Sequence, residues 1–158
     1  MAERPTYRIH IVNDLPRRIV YQAVRHSLET LLTAWKADPC EVSVLITDNE
    51  GIRQLNKEFR NLDEATDVLT FPAPSGIPSL GDIAISIDFA SAQAKRRKVR
   101  LQDELAMLAI HGGLHLMGMD DELESNREAM VVEMNRIAKL AGIPEEEDWS
   151  SLPHGSEA

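Results

Sequence analysis

A chain of 158 residues with 43% hydrophobic and 27% charged residues has the size and make-up of one globular domain, too small for two cores. Its formal charge of −9 and pI near 5.0 count against nucleic-acid coating by a broad basic surface, while leaving room for a local basic groove. The absence of a long apolar run or an apolar leader argues against membrane insertion or secretion, and the lone Cys40 rules out an internal disulfide or a paired-cysteine zinc site and fits a reducing cytoplasm.

In chain order, "YRIHIV" (7–12) reads as a strand with Ile9 and Ile11 on one face. A helix is expected over 15–37, because Val20, Val24, Leu28, Leu31 and Trp35 recur at helical spacing and Pro39 lies just beyond. "CEVSVLITD" (40–48) is strand-like, with Val42, Val44 and Ile46 on one face. Asp48 or Asn49 can then cap a short helix, "EGIRQLNKEFR". "DVLTF" (67–71) and "GDIAISI" (81–87) are two further strands. The connection between them, rich in Pro, Ser and Gly, is long for a hairpin and is expected to be a surface loop.

"DFASAQAKRRKV" (88–99) reads as a helix with a basic exposed face. "LQDELAMLAIHGGLHLMGM" (101–119) is a nearly all-apolar helix, and 122–142 is an amphipathic one with Leu123, Met130, Met134, Ile137 and Ala141 on its core side. The expected fold class is α+β: a single domain with a mixed four-stranded sheet surrounded by about five helices. Residues 1–142 are expected to form the single folded domain and 143–158 an acidic, mobile C-terminal tail.

The chemistry concentrates in "HGGLHLMGMDDE" (111–122). On a helix His111 and His115 stand one turn apart and ~40° apart in azimuth, so both imidazoles can reach one ion. The zinc-peptidase helix has this spacing but puts Glu after the first His; here that position is Gly112, which argues against such a peptidase. A third ligand cannot come from a continued helix, where residue 121 would face away and residue 122 would lie about 10 Å further along the axis. Gly118 can take positive φ, end the helix and let the chain double back, bringing residue 120 or 121 to the histidines. Two hydrogen-bonded core histidines are the competing interpretation, but a shared metal satisfies one ring nitrogen on each.

These residues resemble the YbeY family of metal-dependent, single-strand-specific endoribonucleases, whose pattern is His-Gly-x-Leu-His-Leu-x-Gly-Tyr-Asp-His. The likeness extends to "LNKEFR" (55–60), "TDVLTFP" (66–72) and "LGDI" (80–83), in the family's order and spacing. The resemblance implies a mixed four-stranded sheet with helices around it. It also implies cleavage of single-stranded RNA with one divalent ion, usually zinc, in ribosomal RNA maturation and ribosome quality control. Expected partners are RNA and the ribosome or its proteins, in the cytoplasm, with no membrane and no DNA.

On that pattern His111 and His115 are metal ligands, and Arg60 falls on the arginine of the active cleft. Asp121 stands where the family has its third histidine. A carboxylate is an acceptable zinc ligand, though it lowers the site's charge and favours harder metals. Asp121 could instead cap the following helix with Glu124 as partner, leaving Asp120, Glu122 or water to complete the coordination. Thr66, Asp67 and Asp82 are expected to brace loops. Glu104, two turns before His111, and the run 95–98 are weaker candidates for proton transfer and RNA guidance. Two other function classes are a metal-dependent hydrolase of another substrate and a ribosome-associated binding protein with a weakened or structural metal site.

Overall fold

The computed structural model describes residues 6–146 and Trp149. Among the described residues, four strands and five helices follow in the order β1 (Tyr7–Asn13), α1 (Gln22–Ala34), β2 (Cys40–Thr47), α2 (Asn49–Arg60), β3 (Val68–Pro72), β4 (Ser79–Ser86), α3 (Ile87–Arg97), α4 (Leu101–Leu116) and α5 (Glu124–Ala141). The sheet order is β1-β2-β4-β3, with β1, β2 and β4 parallel and β3 antiparallel to β4. This is the mixed four-stranded α+β domain expected from the sequence.

Strand alternation sends two sets of side chains to opposite faces. Ile9, Val42, Val44, Ile46, Val68, Ile83 and Ile85 point into the larger core with α1, α4 and α5. Leu45, Leu69, Phe71 and Ala84 point to a smaller cluster under α2, with Ile52 and Leu55. The second face is only partly roofed, and a groove of about 420 Å³ opens there between Val12, Leu45, Phe59, Phe71 and Asp82.

Two helices follow their sequence signals closely. The side chain of Asp48 accepts from Gly51 N at 2.8 Å, capping α2 as expected. Helix α4 is buried continuously from Asp103 to Leu114, as a nearly all-apolar helix must be. Other boundaries differ for local reasons. Helix α1 begins only at Gln22, because Asn13 organises the preceding loop by accepting from Leu15 N and donating to Arg17 O; Val20 is left outside the helix and exposed. Leu123 caps α5 in extended conformation, so its side chain leaves the helical stripe and is 64% exposed. The β3–β4 connection shrinks to 73–78, since both strands run further than expected and Pro72 is tolerated on an edge strand.

Much of the segment 143–158, expected to be a mobile tail, lies outside the described residues. Within its described part, Ile143 is in the core, Asn135 bonds both backbone groups of Glu146, and Trp149 is buried, while Pro144 and Glu145 are exposed.

Candidate metal centre

Helix α4 reaches the site by threading between the sheet and α1, and its two glycines make the passage possible. A Cβ at Gly112 would stand 2.9 Å from the Ile83 γ2 carbon and 3.3 Å from that of Thr70. At Gly113 it would meet Leu31 at 2.7 Å and Leu28 at 3.1 Å. The residue after the first histidine therefore faces strands β3 and β4, where a glutamate could not fit.

The helix stops at Leu116. Gly118 takes φ +105, and Met119 N turns back to donate to Leu114 O at 3.0 Å. The chain then folds alongside the histidines. His111 Nε2 and His115 Nε2 are 3.0 Å apart, and Asp121 Oδ2 lies 3.6 Å from the first and 3.7 Å from the second. The circle through three points at those separations has a radius of about 2.0 Å, the length of a zinc–nitrogen bond. Two imidazoles and a carboxylate are also a chemically suitable donor set. These residues could hold a divalent ion without rearrangement.

The neighbouring acids are occupied elsewhere. Asp120 Oδ1 accepts from Asn126 Nδ2 at 2.9 Å and from Glu122 N at 3.3 Å, bracing the entry to α5. Glu122 is exposed. The capping arrangement that would have drawn Asp121 away does not form, because Leu123 occupies the N-cap. Beside the triad a pocket of about 80 Å³, lined by His111, Asp121, Arg127, Met130, Met134 and Trp149, has room for a water-sized group.

Arg60, the last residue of α2, donates to Thr70 O at 2.8 Å, and its guanidinium stands 5.7 Å from the centre of the Phe71 ring. Partial burial draws its pKa below the ordinary arginine value. Thr70 itself packs on Gly112, so one residue of β3 links the arginine to the histidine helix. The αL conformation of Asn61 ends α2 at this point.

The supporting residues sort as follows. Asp67 is fully buried and accepts from Val68 N and Thr66 Oγ1, a bracing role as expected. Asp82 instead is exposed on the groove. Arg97, from the basic run, turns inward and pairs with buried Glu104 at 3.0 Å, so this arginine is not part of a solvated face and Glu104 has a structural partner. Sequence reasoning missed Trp149, whose indole donates to Glu104 at 2.8 Å and lies 5.1 Å from the His111 ring. A lone tryptophan in an acidic, polar stretch was the available signal.

Residues 10–142 match the sequence pattern that defines the family described as Endoribonuclease YbeY. The chain belongs to the YbeY family. A Synechococcus protein named Endoribonuclease YbeY is 41% identical over 147 residues, covering 85% of this chain and 89% of its own. A Solibacter usitatus protein of the same name is 45% identical over 108 residues, covering 68% and 71%. Among solved structures, a solution structure of a Thermotoga maritima protein is similar with TM-score 0.63 and 26% identity, over 84% of this chain and 88% of that one. The YbeY match spans every element that builds the triad and the arginine.

Proposed function

We propose that this YbeY-family chain is a metal-dependent endoribonuclease that hydrolyses phosphodiester bonds in single-stranded RNA. The observation that carries the reading is the convergence of His111 Nε2, His115 Nε2 and Asp121 Oδ2 on one point, in a chain whose relatives are named endoribonucleases. His111, His115 and Asp121 are the ligands of a single divalent ion, zinc by its donor set. When bound, such an ion supplies a water of lowered pKa and Lewis acidity for a phosphoryl oxygen.

The protein's own contribution is placement. Asp121, as an anion, reduces the charge of the site relative to three histidines, which lowers its Lewis acidity and widens its tolerance for harder ions such as manganese. Arg60 is held by its bond to Thr70 O and its contact with Phe71, leaving other N–H groups to donate to phosphate oxygens. A guanidinium already held in place can meet the negative charge that builds at phosphorus without first being ordered. The substrate is ribosomal RNA during maturation, met on or near the ribosome in the cytoplasm. Among the described residues no helix is long and apolar enough to cross a membrane.

Metal analysis of the purified protein, with cleavage assays on single-stranded RNA, tests the reading in wild type and in His115→Ala, Arg60→Glu and Asp121→His. His115→Ala should lose both metal and cleavage, while Arg60→Glu should lose cleavage alone. A sharp gain in Asp121→His would mark the aspartate as a weakened ligand. Undiminished RNA cleavage in His115→Ala, with no metal in the wild type, would overturn it.

A further inference from the structure

We propose that Trp149 is a positioning residue for His111, so that a side chain from beyond α5 forms part of the metal site. The inference rests on the metal-site reading above and adds a wall to it from outside the helices that carry the ligands.

Helix α5 ends at Ala141, yet the chain beyond it is pinned to its surface. Gly142 turns the chain at φ +76, and Ile143 N donates to Ala138 O at 2.8 Å. Asn135 then clasps the backbone of Glu146, donating to its carbonyl at 3.1 Å and accepting from its N–H at 2.8 Å. Trp149 N donates to Glu146 O at 3.2 Å. These contacts deliver the indole into the interior, where it is 2% exposed.

The indole arrives against a prepared partner. Glu104 and His111 are seven residues apart on α4, ~20° apart in azimuth and about 10 Å apart along the axis. Trp149 spans that gap. Its Nε1–H donates to Glu104 Oε2 at 2.8 Å, and its ring lies 5.1 Å from the His111 ring, tilted by 47°. Arg97 donates to both oxygens of Glu104, at 3.0 and 3.2 Å, and its guanidinium stands 5.1 Å from the indole ring.

A buried indole N–H needs an acceptor, and a buried carboxylate needs donors. The Arg97–Glu104–Trp149 cluster satisfies each requirement with the other and fixes the plane of the indole. That plane in turn limits rotation of the His111 imidazole, which is itself only 3% exposed. The consequence is an Nε2 kept in line with His115 and Asp121 before any ion arrives. Outer groups that orient a ligand are worth about 10- to 100-fold in metal affinity.

The test is zinc affinity of the full chain, measured by competition with a chromophoric chelator, together with tryptophan emission in a Trp35→Phe background where Trp149 is the remaining indole. Trp149→Ala should bind zinc about 10- to 100-fold more weakly. Trp149→Phe keeps a ring against His111 while losing the bond to Glu104, and should fall between. Ile52→Val, a change in the small core on the other sheet face, controls for general destabilisation and should leave affinity unchanged. Emission of the Trp35→Phe protein should titrate with zinc at the affinity found by competition. Trp149 variants that bind zinc as tightly as Ile52→Val, or an emission indifferent to zinc, would overturn the inference while leaving the metal site standing. A wild type that binds no zinc removes the site, and this inference with it.

Discussion

Replacing Gly112 with alanine probes how the fold sets the site. The new methyl would stand 2.9 Å from the Ile83 γ2 carbon and 3.3 Å from that of Thr70, both on β-branched side chains rooted in the sheet. Ordinary carbon–carbon contact is ~3.5–4.0 Å, so α4 must move off the sheet by several tenths of an ångström. Overpacking of this kind costs about 1–3 kcal/mol, while alanine is favoured over glycine in a helix by about 1 kcal/mol. The net loss should be about 1 kcal/mol, or roughly 2–4 °C in Tm for a chain of this length. The functional effect should be larger than the stability effect, because the same displacement moves His111 away from Thr70, whose carbonyl holds Arg60. A 1 Å misplacement can cost ~10²-fold in rate.

The assay is urea denaturation of Gly112→Ala, Ile83→Ala and the double variant, with RNA cleavage measured in parallel. In the double variant the added methyl occupies part of the space that Ile83 leaves, so the two losses should not add. A Gly112→Ala protein stabilised by the full helix-propensity gain, with strictly additive double-variant energies and wild-type cleavage, would refute the reasoning.

Arg60→Ala should lower RNA cleavage by about 10²–10³-fold, the usual cost of one transition-state donor, with metal content unchanged; parallel metal analysis separates this from site collapse. Asp121→Asn should weaken metal binding in a chelator competition. Asp120→Asn should leave binding intact and cost at most about 1 kcal/mol, since its carboxylate serves the entry to α5. Glu104→Gln should change the pH dependence of stability. Burial pushes the Glu104 pKa above its ordinary value, outweighing the lowering bonds from Trp149 and Arg97. A raised folded-state value means that the native protein holds the proton more tightly. The stability tied to that proton is therefore complete below the unfolded value of ~4.3 and lost as pH rises through the folded one. Urea midpoints taken upward from pH 4 should fall less steeply in Glu104→Gln than in wild type; parallel curves would count against the assignment.

Local patterns carried most of this protein's architecture into its sequence. Alternation in "CEVSVLIT" fixes β2 and its buried face, Asp48 fixes the start of α2, and Gly118 fixes the end of α4, because each acts through its own backbone within a few residues. The spacing of His111 and His115 is likewise local, and it alone put two ring nitrogens on one side of a helix. Which acid faces them was not local. Asp120 and Asp121 are adjacent carboxylates with the same intrinsic chemistry. Their division of labour follows from the path of the chain after Gly118 and from Asn126 reaching Asp120 across the turn. Trp149 was less legible still, since its partners Glu104, Arg97 and His111 lie far back in the chain and meet it only once α3, α4 and the end of α5 have packed. Sequence determined most of the elements and the helical pairing of the two histidines, and named Asp121 as third ligand through the family pattern with Asp120 and Glu122 left open. The choice among those acids, and the wall behind His111, were decided by contacts that exist only when distant segments share one interior.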